Sequence, residues 1–164
     1  YLAQIAHNNW QKEILDNLKV YEHSSPYYDE TIKIVRQCID NINTSIVDLN
    51  LNILKTICYY LGINTKIERL SKLSLDLPDS AQPGEWACYI SKAMDANIYS
   101  NAPGGRHLFD DEFYKKNNII LEFYQPIPLN YSTPGFKFLS DLSIIDSLMW
   151  IGADNLKQWC KSSN

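Results

Sequence analysis

The sequence predicts an α/β fold, in which a helical N-terminal half precedes a small, mainly parallel sheet with helices packed on it. Apolar residues recur at helical spacing through the first 62 residues, and the period changes after Gly62. Residues 65–124 then follow the order strand, helix, strand, helix, strand, which favours parallel pairing with right-handed crossovers. The length of 164 residues fits a single domain, with a helical part over 1–62 and an α/β part over 63–164.

Three amphipathic helices are predicted in the helical part. The first covers Asn8–Tyr21, and the second begins at Pro26, which suits the first turn of a helix, and continues to Ile42. The third begins at the capping signature Ser45–Asp48, in which a serine is followed three residues later by an acidic residue. Gly62 follows the last apolar residue of this helix and predicts its end.

The α/β part combines short β-prone runs with short helical patterns. After them, Gln125–Leu139 holds three prolines and is predicted to be irregular. A second capping signature, Ser143–Asp146, begins a helix that runs to Gly152, and a last helix covers Ala153–Cys160. The earlier elements are strands at Thr65–Ser71, Asn97–Ser100 and Ile119–Tyr124, and helices at Glu85–Asp95 and Asp110–Lys116.

The composition argues against several classes of function. The net charge of -4 is spread without long like-charge runs, which argues against nucleic-acid binding through the phosphate backbone. The sequence has no apolar run of about 18 residues and no signal-peptide pattern, so we expect a cytoplasmic protein without membrane insertion. The four cysteines and three histidines show no metal-ligand spacing, so we predict reduced thiols, no metal site and no cofactor.

The segment from Tyr99 to Asp111 is the candidate ligand-binding loop. Gly104 and Gly105 let the backbone pass close to a neighbouring group, and their amides can face an anion such as a diphosphate. Arg106 can add a bidentate contact to that anion. The alternative is a tight turn beside a solvated arginine.

Topology places this loop beside two others. The carboxyl ends of parallel strands meet at one edge of a sheet, and ligands of open α/β sheets bind there. A ligand at this edge would contact Asn101 together with the two glycines. The three loops predicted to converge are Ser71–Lys72, Asn101–Arg106 and Gln125–Pro126.

An ordered set of short motifs runs through nearly the whole chain. The set comprises Trp10–Lys12, Ser25–Tyr28, Asp48–Asn50, Tyr60–Lys66, Tyr99–Gly105, Phe113, Ile120–Phe123 and Leu142–Leu148. In this order the motifs resemble the WbqC-like family of bacterial proteins. Members usually begin with a Gln-Pro-x-Tyr-x-Pro-Trp-type segment and carry an Asp-Asp-Val-Gln-type stretch. The resemblance therefore implies that this chain is a C-terminal portion or a shortened member.

The resemblance also implies a pathway. Such proteins are encoded among genes for O-antigen and other surface polysaccharides, and acyl or aminoacyl transfer to an amino sugar has been proposed for some. The first hypothesis is therefore a transferase that acts on a nucleotide-linked amino sugar, with other enzymes of the pathway as partners. The alternative is a non-catalytic module that binds such a sugar, another anionic small molecule or a partner enzyme.

Five further residues are candidates for this chemistry, each beside a simpler explanation. Asp48 and Asn50 match polar positions of the family pattern, and Asp48 can bind an amine, although it also fits as the partner of the preceding serine cap. His107 lies next to the loop and can act as a general base, or it is a solvated surface histidine. Tyr27 and Tyr28 can line a sugar pocket or belong to the core.

Acidic residues at two other helix starts have local explanations. Asp110, Asp111 and Glu112 lie where the helix dipole favours negative charge. Asp146 repeats the capping position through Ser143. The capping position therefore gives Asp146 a local explanation in the sequence.

Overall fold

The computed structural model describes residues 3–5, 9–40 and 45–162, and its secondary structure is mixed α and β, as predicted. The predicted helix positions Asn8 and Ile42 lie outside the described residues. None of the described helices is both long and apolar enough to cross a membrane. The helices are α1 (Trp10–Leu18), α2 (Tyr28–Ile39), α3 (Ile46–Leu61), α4 (Glu85–Ala93), α5 (Asp111–Lys116) and α6 (Ile144–Ser162). The strands are β1 (Ile98–Asn101) and β2 (Ile120–Phe123), and short 3-10 turns cover Lys19–Tyr21, Leu70–Lys72 and Pro103–Leu108.

The chain forms two compact units, of which the first is built from two stretches. The first unit combines the residues up to Ile67 with those from Pro128 onward, and the second unit is Glu68–Ile127. The prediction of a single domain, with parts over 1–62 and 63–164, stays a prediction. In the first unit α2 packs against α3 and α6, and α3 packs against α6. Their apolar faces bury a shared core that contains Ile34, Val35, Cys38, Ile39, Leu49, Leu61, Leu148, Ala153 and Leu156.

Both ends of α3 follow the predicted signals. The Ser45 hydroxyl accepts a hydrogen bond from the Asp48 amide at 3.2 Å, so it satisfies one of the amides that the first helical turn leaves unpaired. Gly62 has a φ of 68° and donates its amide to the carbonyls of the last turn. A side chain there would be strained, and its Cβ would lie 2.7 Å from Cε of Lys157.

Gly152 divides α6 into two helical segments. Its φ of 76° and ψ of 164° lie outside the helical region, which confirms the predicted end at Gly152 and the new helix after it. The bend has a packing cause, because a Cβ at Gly152 would lie 2.7 Å from the Tyr27 ring. The Tyr27 amide also donates to the Met149 carbonyl at 3.1 Å. The start of α2 is therefore held against the bend in α6.

The second unit contains a two-stranded parallel sheet. The register runs from Ile98 opposite Ile120 to Asn101 opposite Phe123, so the predicted parallel pairing is confirmed. The loops after β1 and β2 leave the same edge, as expected, and the Tyr124 amide donates to the Asn101 carbonyl there at 2.9 Å. The core under the sheet contains Cys88, Tyr114 and Ile119, with Tyr99, Phe109, Phe113 and Leu121 packed against them.

The strand predicted for Thr65–Ser71 is wrong. The sheet of the described residues contains β1 and β2, and Leu70–Lys72 forms a 3-10 turn instead. The stretch carries three charged residues, and most of its side chains are exposed on both sides. It therefore offers no apolar face to bury on a neighbouring strand. As a result, Ser71–Lys72 does not leave a strand end, and the predicted convergence is reduced to two loops.

Candidate functional site

Arg106, the predicted anion-binding residue, already has partners within its own segment. One guanidinium nitrogen donates to the Phe109 carbonyl at 3.1 Å, and the other end forms an ion pair with Asp111. The guanidinium carbon also lies 4.9 Å from the centroid of the Phe123 ring, a cation–π distance. These contacts hold the 3-10 turn against the start of α5 and the end of β2. An anion at this position would compete with the Asp111 carboxylate.

No close approach of protein atoms within the described part of the fold requires glycine at positions 104 and 105. A Cβ at Gly104 would meet nothing within 4 Å, and one at Gly105 would make an ordinary contact of 3.7 Å with Phe109. The fold therefore gives no packing reason for these two glycines, and their role in ligand binding stays a prediction. The close approach occurs at Gly84, where an added Cβ would lie 1.8 Å from the Leu108 carbonyl oxygen at the end of the 3-10 turn.

The other predicted site residues are distributed over both units. In the first unit, Asp48 is half-buried in the first turn of α3 and Asn50 is exposed, whereas His107 is exposed in the second unit. Tyr27 and Tyr28 are half-buried at the start of α2 and line a shallow surface depression. The ligand-binding roles of these residues, and those of Asn101, the two glycines and Arg106, stay predictions.

A buried carboxylate lies at the centre of a polar cluster in the first unit. Asp146 is 7% exposed. The Tyr21 hydroxyl donates to its Oδ1 at 2.6 Å, and the Tyr131 hydroxyl donates to its Oδ2 at 2.5 Å. Ser147 Oγ in turn donates to the Tyr131 hydroxyl oxygen at 3.4 Å. Burying a carboxylate is costly without hydrogen-bond donors, and the two phenols supply them.

A cavity of about 180 Å³, which we call the Asp146 pocket, opens beside this cluster. The exposed fraction of Phe136 is 56%, whereas Trp150 beside it is buried, with 5.8 Å between the two ring centroids. The wall is mainly apolar, and Asp146 is the most buried of its polar residues. The apolar lining residues are Val20, Phe136, Leu139, Leu142 and Trp150, and the polar ones are Tyr21, Ser24, Thr133, Lys137 and Asp146.

Both phenols of the cluster are held in their neutral form. Burial, reinforced by the hydrogen bond to Asp146, raises the pKa of Tyr21 to about 12. Burial and the same carboxylate also raise the pKa of Tyr131. At neutral pH both hydroxyls are therefore donors to Asp146. A carboxylate has about four acceptor positions, so Asp146 can accept further hydrogen bonds from a ligand.

The sequence does not mark Asp146 as a site residue, because its capping position after Ser143 already gives it a local explanation. Ser143 Oγ does cap the helix, but it accepts from the Ile145 amide at 3.3 Å, while the Asp146 side chain turns to the tyrosines. Tyr21 precedes Asp146 by 125 positions, and Tyr131 lies in the proline-rich stretch. No local pattern links these three residues, so only the folded chain reveals the cluster.

The fold and the pocket together define an α/β protein with a cavity in its mainly helical unit. Residues 3–158 match the WbqC-like protein family, and the chain belongs to that family, as its ordered motifs predict. No curated protein and no solved structure matches the chain.

Proposed function

We propose that this WbqC-like protein is a transferase that attaches an acyl or aminoacyl group to an amino sugar during the synthesis of bacterial surface polysaccharides such as O-antigen. We place this activity in the cytoplasm and assign the sugar to the Asp146 pocket. The observation that carries the assignment is a buried carboxylate in the wall of a mainly apolar cavity. Membership of the WbqC-like family supports the choice of pathway.

An amine is the ligand group that suits this carboxylate. Tyr21 and Tyr131 each give one hydrogen bond to Asp146, which leaves acceptor positions for the three donors of an ammonium group. A charged donor forms a stronger hydrogen bond with a buried acceptor than with one at the surface. A neutral hydroxyl gains less from the same contact, so the pocket favours an amino sugar over the parent sugar.

The apolar wall suits the ring of the sugar. Phe136 lines the pocket and exposes much of its ring, and the C–H faces of a pyranose pack well on an aromatic face. The cavity of about 180 Å³ holds the volume of about six water molecules, which corresponds to one small ring. A nucleotide attached to that ring would extend out of the cavity.

In the proposed reaction the amine nitrogen attacks the carbonyl carbon of an activated acyl or aminoacyl ester. A carbon–nitrogen bond forms, and the bond to the leaving group breaks with its electron pair going to the leaving group. The bound ammonium loses two protons as it becomes an amide: one passes to solvent before the attack, which frees the lone pair of the amine, and Asp146 accepts the second as the general base. Asp146 then returns it to the leaving group, so the products are an amide and a protonated leaving group.

Our predicted residues outside this pocket stay a second set of candidates. In that proposal Asn101, Gly104, Gly105 and Arg106 bind an anionic group of the substrate. His107 is the candidate for the chemistry in the second unit, and Asp48 is the candidate in the first unit, with Asn50, Tyr27 and Tyr28 as further candidate ligand contacts there. The Arg106→Ala variant tests this set separately from the Asp146 pocket.

Ligand binding to matched aspartate variants tests the proposed function. Calorimetry with an amino sugar should give a dissociation constant that Asp146→Asn raises about tenfold or more, because the ammonium loses its charged partner. Asp154→Asn, an exposed position later in α6, should leave the constant unchanged. Equal affinity for the amino sugar and its N-acetylated form would contradict the role of the amine.

A transfer assay then separates the enzyme from a binding module. The amino sugar is incubated with protein and an acyl or aminoacyl thioester, and mass spectrometry detects the amide product. Product formation that depends on Asp146 supports the transferase. Specific binding without transfer from any donor supports the alternative, a non-catalytic sugar-binding module of the same pathway.

A further inference from the structure

We propose that two copies of this chain pair through the outward face of α3, as an antiparallel helix pair with two-fold symmetry. The apolar residues of this face, which we call the α3 stripe, are Val47, Leu51, Leu54 and Cys58. The proposal concerns a surface outside the lining of the Asp146 pocket, and it is independent of the proposed function.

Helix α3 is apolar on two sides, of which the core covers one. Ile53, Ile57 and Tyr60 pack against the core of the first unit. At about 100° per residue, the α3 stripe lies about 120° further round the helix. There Val47 is 42% exposed and Leu54 is 53% exposed. A surface helix normally turns one apolar side to the core and polar residues outward, so this second apolar side is a candidate interface.

The spacing of the α3 stripe is that of a coiled-coil seam. Successive members are separated by four, three and four residues, which matches a heptad with Val47 and Leu54 at position d and the other two at position a. The spacing reads the same from either end. When a second α3 runs in the opposite direction, Val47 therefore lies opposite Cys58, and Leu51 lies opposite Leu54. Each of these pairings occurs twice, as a two-fold symmetric interface requires.

The charges beside the α3 stripe favour a second copy in the antiparallel direction. Asp48 and Lys55 each follow a d residue, so both occupy position e and lie on the same flank of the stripe. Two-fold rotation places this flank against the same flank of the second helix. Asp48 of each copy then comes near the partner's Lys55, which is a complementary pairing. In a parallel pair the e flank would meet the g flank, where the sequence has the uncharged Asn50 and Ile57.

The length of the α3 stripe sets the strength of the pairing. The stripe covers about three helical turns, so the area that it can bury is at the low end for specific interfaces. We therefore expect a dissociation constant of about 10 to 100 µM.

Sedimentation velocity of the full chain over a range of concentrations tests the proposal. The weight-average mass should rise from one chain towards two between about 1 and 500 µM. Leu54→Glu places a carboxylate against the partner's Leu51 and should weaken the pairing about tenfold or more. Leu70→Glu is the matched control outside α3, because Leu70 has a similar exposure of 46%, and it should leave the constant within about twofold. A chain that stays monomeric throughout this range, or equal effects of the two variants, would overturn the proposal.

The charges at position e have their own readout. Lys55→Glu makes both e positions acidic and Asp48→Lys makes both basic, so each variant alone should pair about fivefold more weakly than the parent chain. An equimolar mixture of the two should regain the pairing, because every e position then meets an opposite charge. A mixture that pairs no more tightly than either variant alone would overturn the charge pairing.

Cross-linking tests the direction of the two helices. Val47→Cys places a thiol opposite the partner's Cys58 in the antiparallel pair. Diamide, which takes up the two hydrogens of the thiols, should then join the two chains between position 47 and Cys58, as mass spectrometry of the peptides can show. In the parent chain the two Cys58 residues would be about 16 Å apart along the helices, so they should not react with each other. A Cys58–Cys58 link in the parent chain would contradict the antiparallel direction.

Discussion

Two aspartates, one in each unit, show how differently a carboxylate can be partnered in this protein. Asp111 is 63% exposed and pairs with Arg106, five positions earlier in the chain. Asp146 is 7% exposed and accepts hydrogen bonds from tyrosines 125 and 15 positions away. The first pair is local and solvated, and the second cluster requires the tertiary fold.

The difference is the reason why we place the candidate site outside the more conspicuous segment of the sequence. The loop with two glycines and an arginine attracts attention because these residue types often bind anions. In the fold, however, Arg106 contacts Phe109 and Asp111 of its own segment. A Cβ added at Gly104 would meet no atom within 4 Å, and one at Gly105 would make only an ordinary contact of 3.7 Å. The Asp146 pocket has no comparable motif, yet it combines a buried charge with a cavity.

The largest effect should come from Gly84→Ala. An added Cβ would lie 1.8 Å from the Leu108 carbonyl oxygen, so backbone must move, and we expect a loss of about 3 kcal/mol or more in the free energy of unfolding. Gly104→Ala is the matched control, and its effect should stay within about 0.5 kcal/mol because no atom lies near its added methyl group. Urea titrations measure both. Equal stabilities for the two variants would contradict the close approach of Gly84 to the Leu108 carbonyl.

Asp146→Ala should come next. It removes two hydrogen bonds to a charged acceptor and leaves two phenols without their partner, which we expect to cost about 3 kcal/mol of the free energy of unfolding. Asp111→Ala removes an exposed ion pair and should cost less than about 1 kcal/mol. A larger destabilisation by Asp111→Ala than by Asp146→Ala would contradict the difference that we describe between the two aspartates.

Tyr21→Phe should have a smaller effect that depends on pH. The pKa of Tyr21 is raised from 10.0 to about 12 in the folded protein, so its contribution is complete below pH 10 and is lost as pH rises from about 10 to 12. The stability difference between the parent protein and Tyr21→Phe should therefore shrink over this range. Denaturation at stepwise pH measures it, with Tyr124→Phe, an exposed tyrosine, as the control. A difference that stays constant up to pH 12 contradicts the assignment.

The smallest effect should come from Arg106→Ala. The guanidinium is exposed, so losing its ion pair and its ring contact should cost about 1 kcal/mol or less of the free energy of unfolding. Binding of the amino sugar should be unchanged, because Arg106 does not line the Asp146 pocket. If Arg106→Ala lowered the affinity for the amino sugar about tenfold while its stability was preserved, the glycine loop would be the ligand-binding site.

The sequence predicts those parts of the fold that depend on neighbouring residues. Ser45, Gly62 and Asp110 act at helix ends as expected, because capping and left-handed glycine are decided within one turn. The parallel pairing also follows, since a helix between two strands leaves few other connections. The strand at Thr65–Ser71 fails because alternation alone does not supply a partner strand.

The candidate site depends on contacts that the sequence cannot display. The role of Gly84 follows from the path of Leu108, which comes 24 positions later, and the role of Asp146 follows from Tyr21 and Tyr131. The bend at Gly152 is a mixed case, because a glycine predicts the break but not the Tyr27 ring that requires it.

The order in which the chain is synthesised has a consequence for the pocket. The first unit joins the residues before Glu68 to those after Ile127, so Tyr21 leaves the ribosome long before Tyr131 and Asp146 do. The whole second unit emerges in between and can fold first, since domains usually fold as units from the N-terminal side. Until Tyr131 and α6 have been synthesised, the Tyr21 hydroxyl has no carboxylate partner and α2 lacks its partner α6. The pocket is thus completed only after translation has passed Trp150, and a nascent chain stalled before that point lacks part of its lining.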